Sequence, residues 1–234
     1  MTRVSVITCV RQAGDDRDLE KTVLACCPKA LMFPVVGAKS IGEGYNTGVE
    51  SSDSLRDPEL FDSRAREHEI LIFSHCDVEL WCSQRLWNEM LLECVKPDVG
   101  FVGVAGTDCL EKHGCWWLAG NAGPSTHLHG DVAHTHEGKT YTSCFGPYGR
   151  TVVMDGVFLA IARSKLDKIG CWNQKLDWHF YDLDMTLRAH LAGFKNMVVP
   201  LPLLHKSIGI PGGSWEQMRQ KFLKTYGDKL PVAL

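Results

Sequence analysis

The chain has 234 residues, 44% of them hydrophobic and 23% charged, with a formal net charge of −3. That is enough chain to bury a sizeable core, and too apolar a composition for a disordered protein. Lys and Arg form no cluster that would make a basic face, so the charge pattern does not support a nucleic-acid partner.

In chain order, residues 4–10 read as a buried strand, followed by a polar stretch and a short helix over 19–27. Residues 30–36 form a second strand that runs into the Gly-rich turn 37–44, and 43–51 starts a helix. Ile70, Leu71, Ile72 and Phe73 make a continuous apolar run between polar flanks, the pattern of a parallel strand covered on both faces. Ser83 is a suitable N-cap for a helix over 83–94, where Leu86, Met90, Leu91 and Cys94 share one face. Another buried strand spans 98–105. Residues 106–150 are rich in Gly, His, Pro and aromatics and are expected to be loops and short hairpins. Strands return at 151–154 and 157–162. A helix over 164–169 ends at Gly170, and one from about 182 to 191 stops at Gly193. Residues 196–201 form a last strand, and 214–226 an amphipathic helix. Strands alternating with helices predict an α/β protein with a mostly parallel sheet, in one domain over residues 1–234.

None of the ten cysteines is spaced as C-x-x-C, adjacent Cys26 and Cys27 are a poor disulfide pair, and Cys9 and Cys94 sit in apolar runs. Reduced thiols in a cytoplasmic protein are expected. The first ten residues are too short and too interrupted for a signal peptide, and no apolar stretch is long enough to span a bilayer. A soluble protein is expected, with a membrane-surface location left open.

Ligands of open α/β sheets sit at the carboxyl ends of strands. Ser74-His75-Cys76-Asp77 follows the strongest strand, so His75 and Asp77 are candidates to hold a divalent cation; a helix cap at Asp77 is the alternative. Asp182 and Asp184 open a helix whose Leu183, Leu187 and Leu191 share a face. Asp182 is either a general base or an ordinary helix-start acid, and a helix N-terminus is expected to lower its pKa. Asp155-Gly156 places a carboxylate at a strand start, and His205 with Ser207 follows another strand. His127, His129, His134 and His136 lack interleaved cysteines or an H-E-x-x-H pattern, so no zinc site is expected there.

Six segments taken in order carry a resemblance: 40–46, 70–78, 103–106, 154–160, 180–185 and 204–209. Together they resemble family 2-like glycosyltransferases of the GT-A fold, specifically a short bacterial and viral branch. The resemblance implies a Rossmann-like nucleotide-sugar-binding half, about 1–105, joined to an acceptor-binding half, about 106–234, in one continuous mixed sheet flanked by helices. Asp77 takes the place of the last carboxylate of the family's DxD motif, and His75 stands where the first carboxylate usually is. His205 matches a histidine that completes metal binding in related enzymes. An imidazole among the ligands favours manganese over magnesium. Asp182 falls on the base of an inverting transfer, with Tyr181 replacing the preceding Glu. Asp155 and Gly156 would touch donor sugar or acceptor.

Thr8, Tyr45 and Asn46 belong to the segments expected around the nucleoside. Trp116 and Trp117 either stack on a sugar or pack beneath loops. Residues 209–213 have the composition either of a mobile segment that closes over the donor or of a plain linker to the terminal helix. The implied donor is a UDP- or GDP-sugar, and the acceptor a glycan, lipid-linked or other hydroxyl. A nucleotidyltransferase, or a catalytically degenerate module that binds a nucleotide sugar or glycan, remains an alternative.

Overall fold

The β-branched run of Val4, Val6, Ile7 and Val10 forms β1 (Arg3–Val10), which leads through α1 (Arg17–Cys26) to β2 (Leu31–Val36). The structure, a computed structural model, describes residues 2–55, 69–120, 126–207 and 212–234. α2 (Ile41–Ser54) starts two residues earlier than the apolar pattern suggests. Its N-cap is Ser40, whose hydroxyl accepts from the Glu43 N–H at 3.0 Å while the Glu43 carboxylate accepts from the Lys39 N–H at 2.6 Å. Gly44 and Gly48 let α2 lie directly on β1: a Cβ at Gly48 would stand 2.2 Å from an Ile7 methyl.

β3 (Glu69–His75) turns into β4 (Val78–Leu80), and Ser83 caps α3 (Gln84–Cys94) as expected, accepting from the Leu86 N–H at 3.3 Å. The strand expected over 98–105 divides at Val104 into β5 (Val99–Gly103) and β6 (Ala105–Thr107). A short β7 (Cys109–Leu110) follows. Where loops and short hairpins were expected over 106–150, β8 (Leu128–His136) and β9 (Lys139–Gly146) form one long antiparallel hairpin, turned at Glu137 and Gly138, both with positive φ. β9 is largely exposed, so nothing drives the apolar alternation that marks a half-buried strand.

The chain continues through β10 (Gly149–Thr151), β11 (Val153–Met154), β12 (Phe158–Ala162), α4 (Arg163–Ile169) and α5 (Tyr181–Leu191). It then runs through β13 (Lys195–Val198), β14 (Leu203–His205), α6 (Trp215–Tyr226) and β15 (Val232–Ala233).

The main seven-stranded sheet has the order β10-β13-β5-β12-β3-β1-β2. Pairing is parallel in β2-β1-β3 and in β5-β13, and antiparallel where β12 is inserted between β3 and β5. A second sheet, β11-β6-β8-β14-β4 with β9 on β8, and a small β15-β7 pair lie apart from it. The single continuous sheet implied by the resemblance is therefore broken, and Val104 is the point where the chain leaves one sheet for the other. Period-two alternation buries both faces of the main sheet. Val4, Val6, Ile70 and Ile72 pack on one side, and Ile7, Leu71 and Phe73 pack on the other with Tyr45, Phe101 and Trp172. Among the described residues, no helix is long and apolar enough to cross a membrane. All ten cysteines are free; Cys26, Cys94 and Cys115 are buried, whereas Cys144 and Cys171 are exposed.

Candidate active site

The register of the second sheet brings the metal candidates together. β14 pairs antiparallel with β4, so His205 lies opposite Val78, and the Lys206 N–H donates to the Asp77 carbonyl at 3.0 Å. His75, the last residue of β3, faces them. Its Nδ1 is 3.1 Å from His205 Nε2, which is 3.3 Å from Asp77 Oδ1 and 3.0 Å from Ser207 Oγ. One ligand atom from each of His75, Asp77 and His205 lies within 4.8 Å of the others. Adjacent donors on one ion with bonds of ~2.1 Å stand ~3.0 Å apart, so the spacing and the N, N, O chemistry fit a divalent cation. Asp77 follows β3 in a turn into β4, which excludes the helix-cap alternative.

Burial pushes the His75 imidazole down to about 4, helped by neighbouring His205, so the ring is neutral and able to ligate. Burial alone would raise Asp77, but the hydrogen bond and charge of His205 hold it well below the usual carboxylate range. His75 Nε2 also meets the Tyr181 hydroxyl at 2.6 Å. The two departures from the family pattern, His75 and Tyr181, are thus bonded partners. A contact on the second ring nitrogen fixes the imidazole's orientation.

Asp182 sits in the first turn of α5. The N-cap is Phe180, in the left-handed region at φ 63°, and is held there by packing on Trp215 and Phe222 from α6. One Asp182 oxygen accepts from the Gly156 N–H at 2.8 Å and the other from the Leu183 N–H at 2.9 Å. Gly156 is required for this approach, because a Cβ would lie 2.3 Å from the Tyr181 hydroxyl and 2.9 Å from the Asp182 Cβ. The expectation of a lowered pKa is overturned. Burial and the charge of Asp155 push Asp182 up to about 7, outweighing the two backbone donors that pull it down. Asp184 has a different job: buried, it receives the Tyr226 hydroxyl at 2.8 Å and the Arg188 guanidinium at 3.0 Å, tying α5 to α6.

Three clefts meet at His75. One runs past Cys9, Arg11, Asp15, Tyr45 and Asp77, at the carboxyl ends of β1 and β3; its ≈ 690 Å³ lies within the range of ligand sites. The second holds Asp155, Gly156, Tyr181 and Asp182, and the third lies under β8 and β9; Trp116 and Trp117 line both.

Tyr45 is buried against Phe73, Trp172 and Tyr181, and its hydroxyl has no hydrogen-bond partner among the described residues. Thr8 is fully buried in β1, and its hydroxyl likewise has none among the described residues. The Asn46 amide is committed at both ends to the Trp172 backbone, at 3.0 and 2.9 Å. Trp116 is buried on Phe145, whereas Trp117 is 36% exposed. The Asp155 carboxylate accepts from the Val157 N–H at 2.9 Å and lines the clefts.

Among the described side chains, His127 and His129 are held by Asp108, and His134 by a separate partner, the Ser207 carbonyl. Residues 209–211 of the proposed closing segment lie outside the described residues. Sequence reasoning missed Trp178 and Trp215, which also line the Asp182 cleft. Neither belongs to a motif; the only signal was an unexplained Trp-His pair at 178–179 just before the Tyr181-Asp182 segment.

Two solved structures share this architecture. A mannosyltransferase from Pyrobaculum calidifontis, in complex with GDP-Man and Mn2+, aligns with a TM-score of 0.52 at 13% identity, over 97% of this chain and 64% of its own. GalNAc-T7, with UDP, GalNAc and Mn2+, aligns with a TM-score of 0.56 at 10% identity, over 96% of this chain and 48% of its own. The fold is GT-A, and the chain spans less than two thirds of either protein. No curated protein sequence matches the chain at a significant level. A family profile described as "Glycosyltransferase like family" matches residues 28–226, and the chain belongs to that family 2-like group.

Proposed function

We propose that the protein transfers a sugar from a UDP- or GDP-sugar to an acceptor hydroxyl, with inversion at the anomeric carbon. The observation that carries the reading is the linkage through His75: one ring nitrogen joins the Asp77–His205 cluster, the other meets Tyr181, next to the carboxylate of Asp182. In this reading residues up to about 105 hold the donor, and those from about 106 onward hold the acceptor.

His75, Asp77 and His205 would hold the cation, manganese in preference to magnesium given two nitrogen donors. A divalent ion there would supply Lewis acidity to the departing diphosphate. The cleft beside Arg11, Asp15 and Tyr45 would take the nucleoside. Asp182 would accept the proton of the attacking hydroxyl. Its raised pKa makes it a stronger base than an ordinary Asp, while still partly ionised near neutral pH. The Gly156 and Leu183 N–H groups aim that carboxylate, and Asp155 keeps its basicity high. No step of this scheme requires a membrane, and a cytoplasmic site is the simplest setting for free thiols and a nucleotide-sugar donor.

The test is a panel of UDP- and GDP-sugars, with and without manganese, on wild type and Asp77→Ala. Melting shifts and release of free nucleoside diphosphate are the readouts. A manganese-dependent shift with one base, lost in the variant and accompanied by diphosphate release, supports the reading. A folded wild type that responds to no nucleotide sinks donor binding, and release of pyrophosphate would instead indicate nucleotidyl transfer.

A further inference from the structure

We propose that the acceptor is an uncharged carbohydrate whose terminal pyranose lies against the indole of Trp117, with Trp178 at the cleft mouth. This rests on the transferase reading above and names its second substrate. Four of the seven tryptophans, Trp116, Trp117, Trp178 and Trp215, line the cleft that holds Asp182. Trp116 is buried and serves as a base. Trp117 stands edge-on to it, with ring centres 6.1 Å apart at 89°, and leans on Trp215 at 5.9 Å. Two neighbours therefore fix the Trp117 ring while over a third of it stays exposed beside the proposed base. Trp178, 48% exposed, has no ring partner among the described residues and lines both the Asp182 cleft and the nucleoside cleft.

Large indole faces left in water cost free energy that a ligand recovers by covering them. A pyranose offers the matching chemistry, with C–H bonds on one face for the indole and hydroxyls at its edge. Asp155, His134, Ser143, Ser207 and His179 line the Asp182 cleft or the adjoining cleft under β8 and β9, and can hydrogen-bond those hydroxyls. Charge narrows the class further. No Lys or Arg is among the described residues lining either cleft, whereas Asp155 and Asp182 are. A phosphate or carboxylate on the acceptor would meet Asp155 and Asp182 with no Lys or Arg beside them, the cation at His75, Asp77 and His205 being taken up in this reading by the donor diphosphate. Arg11 lines the nucleoside cleft.

The probes are neutral tetrasaccharides of glucose, galactose, mannose and N-acetylglucosamine, set against a short polyprenyl phosphate and a Ser/Thr peptide. Binding is followed first without donor, by tryptophan fluorescence and saturation-transfer NMR, and transfer is followed second. At least one neutral glycan should bind and accept sugar. Trp117→Ala should weaken that glycan about tenfold or more, with Trp117→Phe recovering most of the loss. Melting temperature and nucleoside-diphosphate affinity are read on the same samples, to separate a lost acceptor site from a misfolded one. The proposal is overturned if no neutral glycan binds or reacts, if the phosphate or peptide is the better acceptor, or if a folded Trp117→Ala keeps wild-type glycan affinity. Donor-free glycan binding without any nucleotide-sugar turnover would sink the transferase reading and leave the carbohydrate site standing.

Discussion

Asp77 and Asp182 are both carboxylates bound into the surroundings of His75, yet their environments drive them in opposite directions. Asp77 lies beside two imidazoles and a hydroxyl, and these favour its charged form against the pull of burial. Asp182 has two backbone donors, but burial and the nearby charge of Asp155 win, and it stays protonated up to about pH 7. The comparison teaches that position at a strand end or a helix start does not set a carboxylate's role. The partners that the rest of the chain brings to it do.

The hardest blow to that contrast is Asp182→Asn. If Asp182 is the base, kcat should fall by about 10²–10⁴-fold while manganese-dependent donor binding persists. Because both oxygens accept backbone N–H groups, an amide keeps only one of the two bonds, so the melting temperature must be measured alongside. A variant that keeps wild-type turnover would remove Asp182 from the chemistry. Next in size, Asp77→Ala should lower manganese affinity on the order of 10²-fold, read by calorimetry with the nucleoside diphosphate present.

The pH dependence sharpens the same comparison. Only ionised Asp182 can take a proton, so kcat/KM should rise about tenfold per pH unit below about 7 and level off above it, in a profile taken from pH 5 to 9. Stability should carry the opposite sign. Asp182 has a raised folded-state pKa, so its contribution is present in acid and lost as pH rises through about 7. Asp77 is depressed, so its contribution is present above the ordinary carboxylate range and lost on acidification. Melting curves of Asp182→Asn should therefore flatten the profile between about pH 4 and about pH 7, and those of Asp77→Ala its acid end below about pH 4.

Smaller effects test the scaffold. Gly156→Ala forces the Tyr181 hydroxyl and Asp182 away by its 2.3 and 2.9 Å contacts; it should cost about 1–3 kcal/mol and lower kcat together with the melting temperature. Tyr226→Phe removes one donor from buried Asp184, which keeps Arg188. It should cost about 1–3 kcal/mol in denaturant titrations with turnover per folded molecule unchanged, separating Asp184 from Asp182 two residues away.

Much of the parallel half was legible because burial on both faces writes itself into the chain. Ile70 to Phe73 reads as the strand it is, and Ser83 as the cap of its helix, whereas the cap at Ser40 was missed. Short hairpins were expected within 106–150, but the length and place of the one over 128–146 were not legible, because a ribbon exposed along β9 is held by backbone hydrogen bonds that need no apolar alternation. The break at Val104 was hidden for a related reason: the apolar run passes through Val104 into Ala105 without a polar residue, so its pattern carries no mark of where one sheet ends.

The candidate site divides along the same line. The ordered segments around His75, Asp77, Asp155, Asp182 and His205 pointed by resemblance to the residues themselves, because chemistry-bearing side chains at strand and helix ends are local features. Their distances, the Tyr181–His75 bond, the raised pKa of Asp182 and the gathering of Trp116, Trp117, Trp178 and Trp215 were decided by tertiary structure alone. Each depends on groups far apart in the chain: the register of β14 on β4, the left-handed turn at Phe180 held by α6, and the absence of a side chain at Gly156. Local sequence determines which atoms are available, but desolvation and Coulomb energy depend on what surrounds them, and only the packed fold supplies that.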